Sequence, residues 1–150
     1  MDGGSAKTAG SQTTTYTIGY EGRQLADFIK LLMRERITHV VDVRELPLSR
    51  RKGFSKTPLR EALEEAKIEY IHLRAAGNPY RHLKEDIDHC LQLYKLHLTE
   101  HPEVLSLVAK TLEGRRAALL CFEAGARSCH RSILTDRLRR LDPGHEVRHL

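Results

Sequence analysis

The chain is poor in cysteine, has no long apolar run and carries no nucleotide-binding glycine signature, and each absence narrows what it can be. No stretch approaches the roughly 18 apolar residues that a membrane-spanning helix requires. Met1 to Gln12 are small and polar and lack the apolar segment of an export signal, so 1–12 reads as a disordered leader before one domain over 13–150. Three cysteines, Cys90, Cys121 and Cys129, are an odd number at spacings that form no disulfide framework. Without an export signal they are expected as reduced thiols in a cytoplasmic protein. Neither G-x-G-x-x-G nor G-x-x-x-x-G-K-[ST] occurs, and Gly19-Tyr20-Glu21-Gly22 substitutes for neither. No C-x2-C pair is present, and His89, His97 and His101 suit a partly exposed helix face, so no metal and no cofactor are expected.

What is present suits one globular domain: 40% hydrophobic and 30% charged residues over 150 positions. The net charge of +5 permits an acidic partner, whether nucleotide, nucleic acid or anionic lipid surface. Thr13 to Tyr20, rich in β-branched and aromatic residues, reads as a first strand. Leu25, Phe28, Ile29 and Leu32 then recur at helical spacing. Thr38 to Val43 is apolar almost throughout, as in a strand buried on both faces. Thr57-Pro58 opens a helix, with Thr57 as its N-cap, and Ile68 to Leu73 is a third strand. Helices over about 87–98 and 102–112 break near Pro102, and Gly114 caps the second. Ala117 to Phe122 is a fourth buried strand. A helix from Cys129 turns Ile133, Leu134, Leu138 and Leu141 inward, and Glu146 to Leu150 closes the chain as a strand.

Strands alternating with helices predict an α/β domain: a mainly parallel sheet of about five strands with helices on both faces. Ligands in such folds bind beyond the carboxyl ends of the strands. The polar clusters fall there, at Glu21 to Arg23, at Asp42 and Arg44, and at Glu123 to Arg131.

The run from Cys121 to Arg131 leads from a strand into a helix N-terminus, where free N–H groups and the helix dipole favour an anion. One reading takes Cys121 to Arg127 as a C-x5-R phosphate loop followed by Ser128, with Cys121 as the thiol of a phosphatase or sulfurtransferase. The other centres on Cys129, His130 and Arg131, with a thiol at the helix start, a group that moves protons near neutral pH, and a guanidinium that forks onto oxyanions. Asp42 and Glu123 stand beside these as orienting or acid–base carboxylates. Arg44 and Arg131 are candidate anion ligands. An ion-pair brace among these charges is the plainer alternative. Ser49, Arg50 and Arg51, with Lys52, Gly53 and Phe54, form a basic loop that could grip phosphate, Phe54 offering a base a stacking face. That loop would also serve a non-catalytic nucleic-acid-binding module.

Taken in order, these residues resemble one family, the DUF488 proteins. The resemblance runs from Tyr16-Thr17-Ile18-Gly19-Tyr20 through Asp42-Val43-Arg44 with Pro47, Ser49 and Arg50. It continues through Ile68-Glu69-Tyr70, Gly77-Asn78-Pro79, Leu120-Cys121-Phe122-Glu123 and Cys129-His130-Arg131 to Val147-Arg148-His149. It implies a Rossmann-like α/β domain and gives Glu123 and the Cys-His-Arg triplet more weight than Arg127. Tyr20-Glu21-Gly22 departs from the family's more usual histidine and serine. The expectation is a small enzyme or nucleotide-handling domain whose pocket takes a phosphate-bearing ligand, nucleotide or nucleic acid.

Overall fold

A computed structural model of the chain describes residues 14–83, 85–123, 125 and 129–150. The leader predicted over 1–12, and Arg127 and Ser128 of the phosphate-loop reading, lie outside the described residues.

Alternation of side chains builds two cores from one sheet. The strands are β1 (Thr14–Gly19), β2 (His39–Asp42), β3 (Glu69–His72), β4 (Ala117–Cys121) and β5 (Glu146–His149). They pair in parallel in the order β3-β2-β4-β1-β5. Along β2, Val40 faces one layer and Val41 the other; along β4, Ala118 and Leu120 oppose Ala117, Leu119 and Cys121. Period-two packing of this kind requires apolar residues on both faces.

Helices α1 (Leu25–Arg34) and α2 (Lys56–Glu65) cover the first face with Phe28, Leu32, Leu59 and Leu63. Helices α3 (Ile87–Glu100), α4 (Pro102–Leu112) and α5 (His130–Leu141) cover the second with Tyr94, Leu98, Val108, Leu112 and Leu134. The chain moves outward from β1 to β3 and returns through β4 to β5, so right-handed crossovers place the helices of the two journeys on opposite faces. The expected architecture is the one observed. Among the described residues no helix is long and apolar enough to cross a membrane.

Local details differ from expectation. Helix α2 begins at Lys56 after an N-cap at Ser55, not at Thr57. The Ser55 hydroxyl serves the preceding loop instead, accepting from Ser49 N and donating to its carbonyl. Leu141, expected inside, is 62% exposed at the last position of α5. Neither α1 nor α2 ends on glycine. Arg36 (φ 59) and Lys67 (φ 64) adopt the left-handed conformation there. Ile37 N then reaches Leu32 O and Ile68 N reaches Leu63 O, closing each helix with a buried isoleucine beyond the cap.

Candidate functional site

The three central strands β1, β4 and β2 end side by side, so the segments after Gly19, Cys121 and Asp42 share one edge of the sheet. Gly19 makes the approach of the first two possible. A Cβ there would lie 1.7 Å from the carbonyl oxygen of Glu123, so only glycine fits. The signal for Gly19 was present in the sequence, but its partner is 104 positions away and needs the fold to be seen.

Asp42 and Arg44 form a buried brace. Asp42 is fully enclosed and Arg44 is 6% exposed. Arg44 donates from Nε to Asp42 Oδ1 at 2.9 Å and from Nη2 to Oδ2 at 2.7 Å, a bidentate pair. Its Nη1 donates to the Phe54 carbonyl at 2.7 Å and to the Tyr20 hydroxyl at 3.3 Å. Burial works to lower the Arg44 pKa, but the Asp42 carboxylate outweighs it and the value ends raised. The Tyr70 hydroxyl also donates to Asp42 Oδ2. Burial, and then the Asp42 charge, push that phenol well above its ordinary value. Arg44 is therefore engaged in bracing the end of β2. Tyr20 and Tyr70, which complete the brace, stand in segments that carry the family resemblance, but nothing in the sequence assigned them this role.

The second cluster joins the end of β4 to the start of α5. Cys129 is the N-cap of α5, in extended conformation, and its sulfur accepts from Arg131 N at 3.5 Å. The expectation of three reduced thiols is corrected: Cys121 and Cys129 form a disulfide across eight positions, with sulfurs 2.20 Å apart, and only Cys90 is free. The end of β4 and the start of α5 lie close enough together to pair the two sulfurs, which spacing along the chain did not reveal. Glu123 joins them. One ligand-capable atom from each of Cys121, Glu123 and Cys129 lies within 4.8 Å of the others. Poor metal spacing in the sequence thus becomes proximity in space.

Arg131, fully buried, donates from Nη1 to the Glu123 carbonyl at 2.8 Å and to Cys121 Sγ at 3.3 Å. Desolvation draws its pKa down to about 10 against the opposing pull of Glu123. Burial raises the Glu123 carboxyl above its ordinary value, partly offset by its own backbone and by Arg131. The phosphate-loop reading placed an arginine clamp at Arg127; among the described residues the guanidinium at Cys121 belongs to Arg131.

His130 packs edge-on against Tyr94 at 5.0 Å between ring centres. Its Nε2 meets the Val43 carbonyl at 2.8 Å, and only a protonated nitrogen can bond a carbonyl. Burial pushes its pKa down to about 4, so the ring is neutral at pH 7 and Nδ1 is an acceptor. That nitrogen is 3.8 Å from Cys129 Sγ.

Both clusters border one cavity of about 770 Å³. Cys121, Glu123, Cys129, His130 and Arg44, buried or half-buried, line it together with the exposed Arg50, Arg51 and Arg81. Arg51 donates to the Arg23 carbonyl, and Arg81 pairs with Glu45 at 3.2 Å. Arg50 makes no hydrogen bond or ion pair with a described residue. The Ser49 hydroxyl accepts from Arg51 N at 3.0 Å and so shapes the loop. Phe54 does not offer the stacking face expected of it. It is 1% exposed and lies against Tyr20 with ring centres 4.5 Å apart. Phe122, 41% exposed at the rim, is the aromatic that faces outward.

No curated protein and no solved structure matches the chain. Residues 24–138, most of its length, match the family described as domain of unknown function DUF488. The chain belongs to the DUF488 family.

Proposed function

We propose that the cavity beyond the ends of β1, β2 and β4 binds a small phosphate-bearing ligand of about nucleotide size, on which its buried and half-buried groups act. One observation carries the reading: a cavity of about 770 Å³ is lined both by the exposed Arg50 and Arg51 and by the buried or half-buried Glu123, Cys129 and His130. That volume falls within the roughly 300–1,000 Å³ of small-molecule sites. Arg50 is the anion contact, since its guanidinium is not engaged elsewhere among the described residues. Arg51 has donors left beyond the one that holds the Arg23 carbonyl. Glu123, His130 and, in the reduced chain, Cys129 supply the reacting groups. Asp42 and Arg44 act from behind as positioning residues, fixing the loop from which Arg50 and Arg51 project.

The test is calorimetric titration of the reduced chain with inorganic phosphate, mononucleotides and short oligonucleotides, repeated with Arg50→Ala. A charge-assisted hydrogen bond contributes roughly 1.5–3 kcal/mol, so a mononucleotide should bind about 10- to 100-fold more weakly to the variant. Oligonucleotide binding that falls steeply with salt, with no binding of mononucleotides, would favour the nucleic-acid-binding module. Absence of heat with every ligand would remove the reading.

A further inference from the structure

We infer that Cys121, Glu123 and Cys129, with both thiols reduced, form a binding site for a divalent ion of the zinc class, with a fourth coordination position open to the cavity. The donor set comes first. Two sulfurs and a carboxylate present their ligand atoms within 4.8 Å of one another, and two thiolates with one harder donor suit Zn²⁺ or Co²⁺ rather than Mg²⁺ or Ca²⁺. Two sulfurs on one tetrahedral ion, each about 2.3 Å from it, stand roughly 3.8 Å apart. The disulfide and the loaded ion are thus alternative states of one pair of sulfurs.

Charge and support point the same way. Two thiolates and a carboxylate carry three negative charges, which a buried site cannot hold beside Arg131 alone. A divalent ion and the Arg131 guanidinium together balance them. Arg131 donates to Cys121 Sγ from its side chain and to Cys129 Sγ from its backbone, so both sulfurs have the outer hydrogen bonds that orient metal-bound thiolates. All three residues border the cavity, leaving the fourth position on its open side. Three protein ligands with one open position is the arrangement of ions that act on a substrate, not of ions that only hold a fold. On the proposed reading of the cavity, that position would take a phosphoryl oxygen of the ligand. Ion binding itself transfers no electrons: two S–H bonds break, two sulfur–metal bonds form and two protons leave to solvent.

The experiment titrates Co²⁺, then Zn²⁺, into the full chain after phosphine reduction and chelator treatment. One Co²⁺ per chain is expected, with sulfur-to-cobalt charge-transfer absorption, tetrahedral visible bands, and loss of both when Zn²⁺ displaces it. Cys121→Ser and Cys129→Ser should each lower the charge-transfer intensity and weaken binding by roughly tenfold or more, while Cys90→Ser changes neither. Glu123→Gln should keep the sulfur bands and weaken the affinity. No sulfur band in the reduced wild-type chain would overturn the inference without needing any variant to fold. Unchanged bands in both Cys121→Ser and Cys129→Ser would overturn it as well, and unchanged affinity in Glu123→Gln would overturn the three-ligand set. Nucleotide binding to the metal-free chain tests the cavity separately, so either idea can fail without the other.

Discussion

Gly19 and Glu123 meet backbone to backbone: a Cβ on Gly19 would sit 1.7 Å from the Glu123 carbonyl oxygen and 2.7 Å from Arg131 Nη1. Because Arg131 donates to that same carbonyl, the glycine governs how the end of β4 lies against the start of α5. Gly19→Ala should therefore cost about 3 kcal/mol or more, the upper range for an overpacked interior. Gly22→Ala is the control. Gly22 has φ +77 with nothing within 4 Å of its Cβ position, so only the left-handed conformation is penalised, by roughly 1–2 kcal/mol. Urea unfolding of the two variants checks the order.

The Asp42–Arg44 pair predicts a non-additive pair of substitutions. Both side chains are buried, so Arg44→Met leaves the Asp42 carboxylate without its bidentate partner. Removing one partner of a buried ion pair costs about 3–5 kcal/mol. Adding Asp42→Asn to Arg44→Met removes the stranded charge and should restore part of that loss. A double-mutant cycle in urea measures the coupling. Additive losses would mean that the two residues act independently.

The sheet was legible because its strands are apolar on both faces: Val40-Val41 in β2 and Ala117 to Cys121 in β4 could not tolerate solvent on either side. Asp42, Arg44 and Glu123 stood out as candidates for a related reason, as polar residues at or just beyond the ends of buried strands, and Cys129 and His130 as the start of the helix that follows β4. Their division of labour was not. Whether Arg44 faces a ligand or Asp42 depends on Tyr20, Phe54 and Tyr70, which come from three other segments. The Cys121–Cys129 pairing depends on how the start of α5 lies against the end of β4. Helix ends were obscured because the chain uses Arg36 and Lys67 where glycine usually marks the stop.

Those two helix ends give a stabilising prediction. Lys67 (φ 64) and Arg36 (φ 59) hold a conformation that costs a non-glycine residue roughly 1–2 kcal/mol. Glycine removes that cost but loses roughly 0.5–1 kcal/mol more in chain entropy on folding. Lys67→Gly should thus gain about 0.5 kcal/mol, with the Ile68 N to Leu63 O closure retained. A rise in the urea midpoint at unchanged slope confirms it; a fall would mean that the lysine side chain contributes more than its backbone costs.

Acid should loosen the fifth strand. His145 bonds the hydroxyl of Thr15 and His149 that of Thr17, tying both ends of β5 to β1. Desolvation lowers the pKa of both. Arg139 adds to the shift and Asp142 opposes it at His145, while Arg131 and Arg139 add and Asp136 opposes at His149. A histidine held below its ordinary value favours the neutral ring in the fold, so the unfolded chain binds more protons just below pH 6.5. The stability these histidines contribute is therefore complete above about pH 6.5 and is lost as pH falls through their folded values. His97, also lowered, and His130, pushed down to about 4, extend the loss in the same direction. Urea midpoints measured between pH 7.5 and 4.5 should decline, and His145→Gln with His149→Gln should make that decline shallower, leaving the remainder to His97 and His130. A midpoint that stays level to pH 5 in the wild-type chain would show that these rings keep their ordinary affinity for protons in the fold.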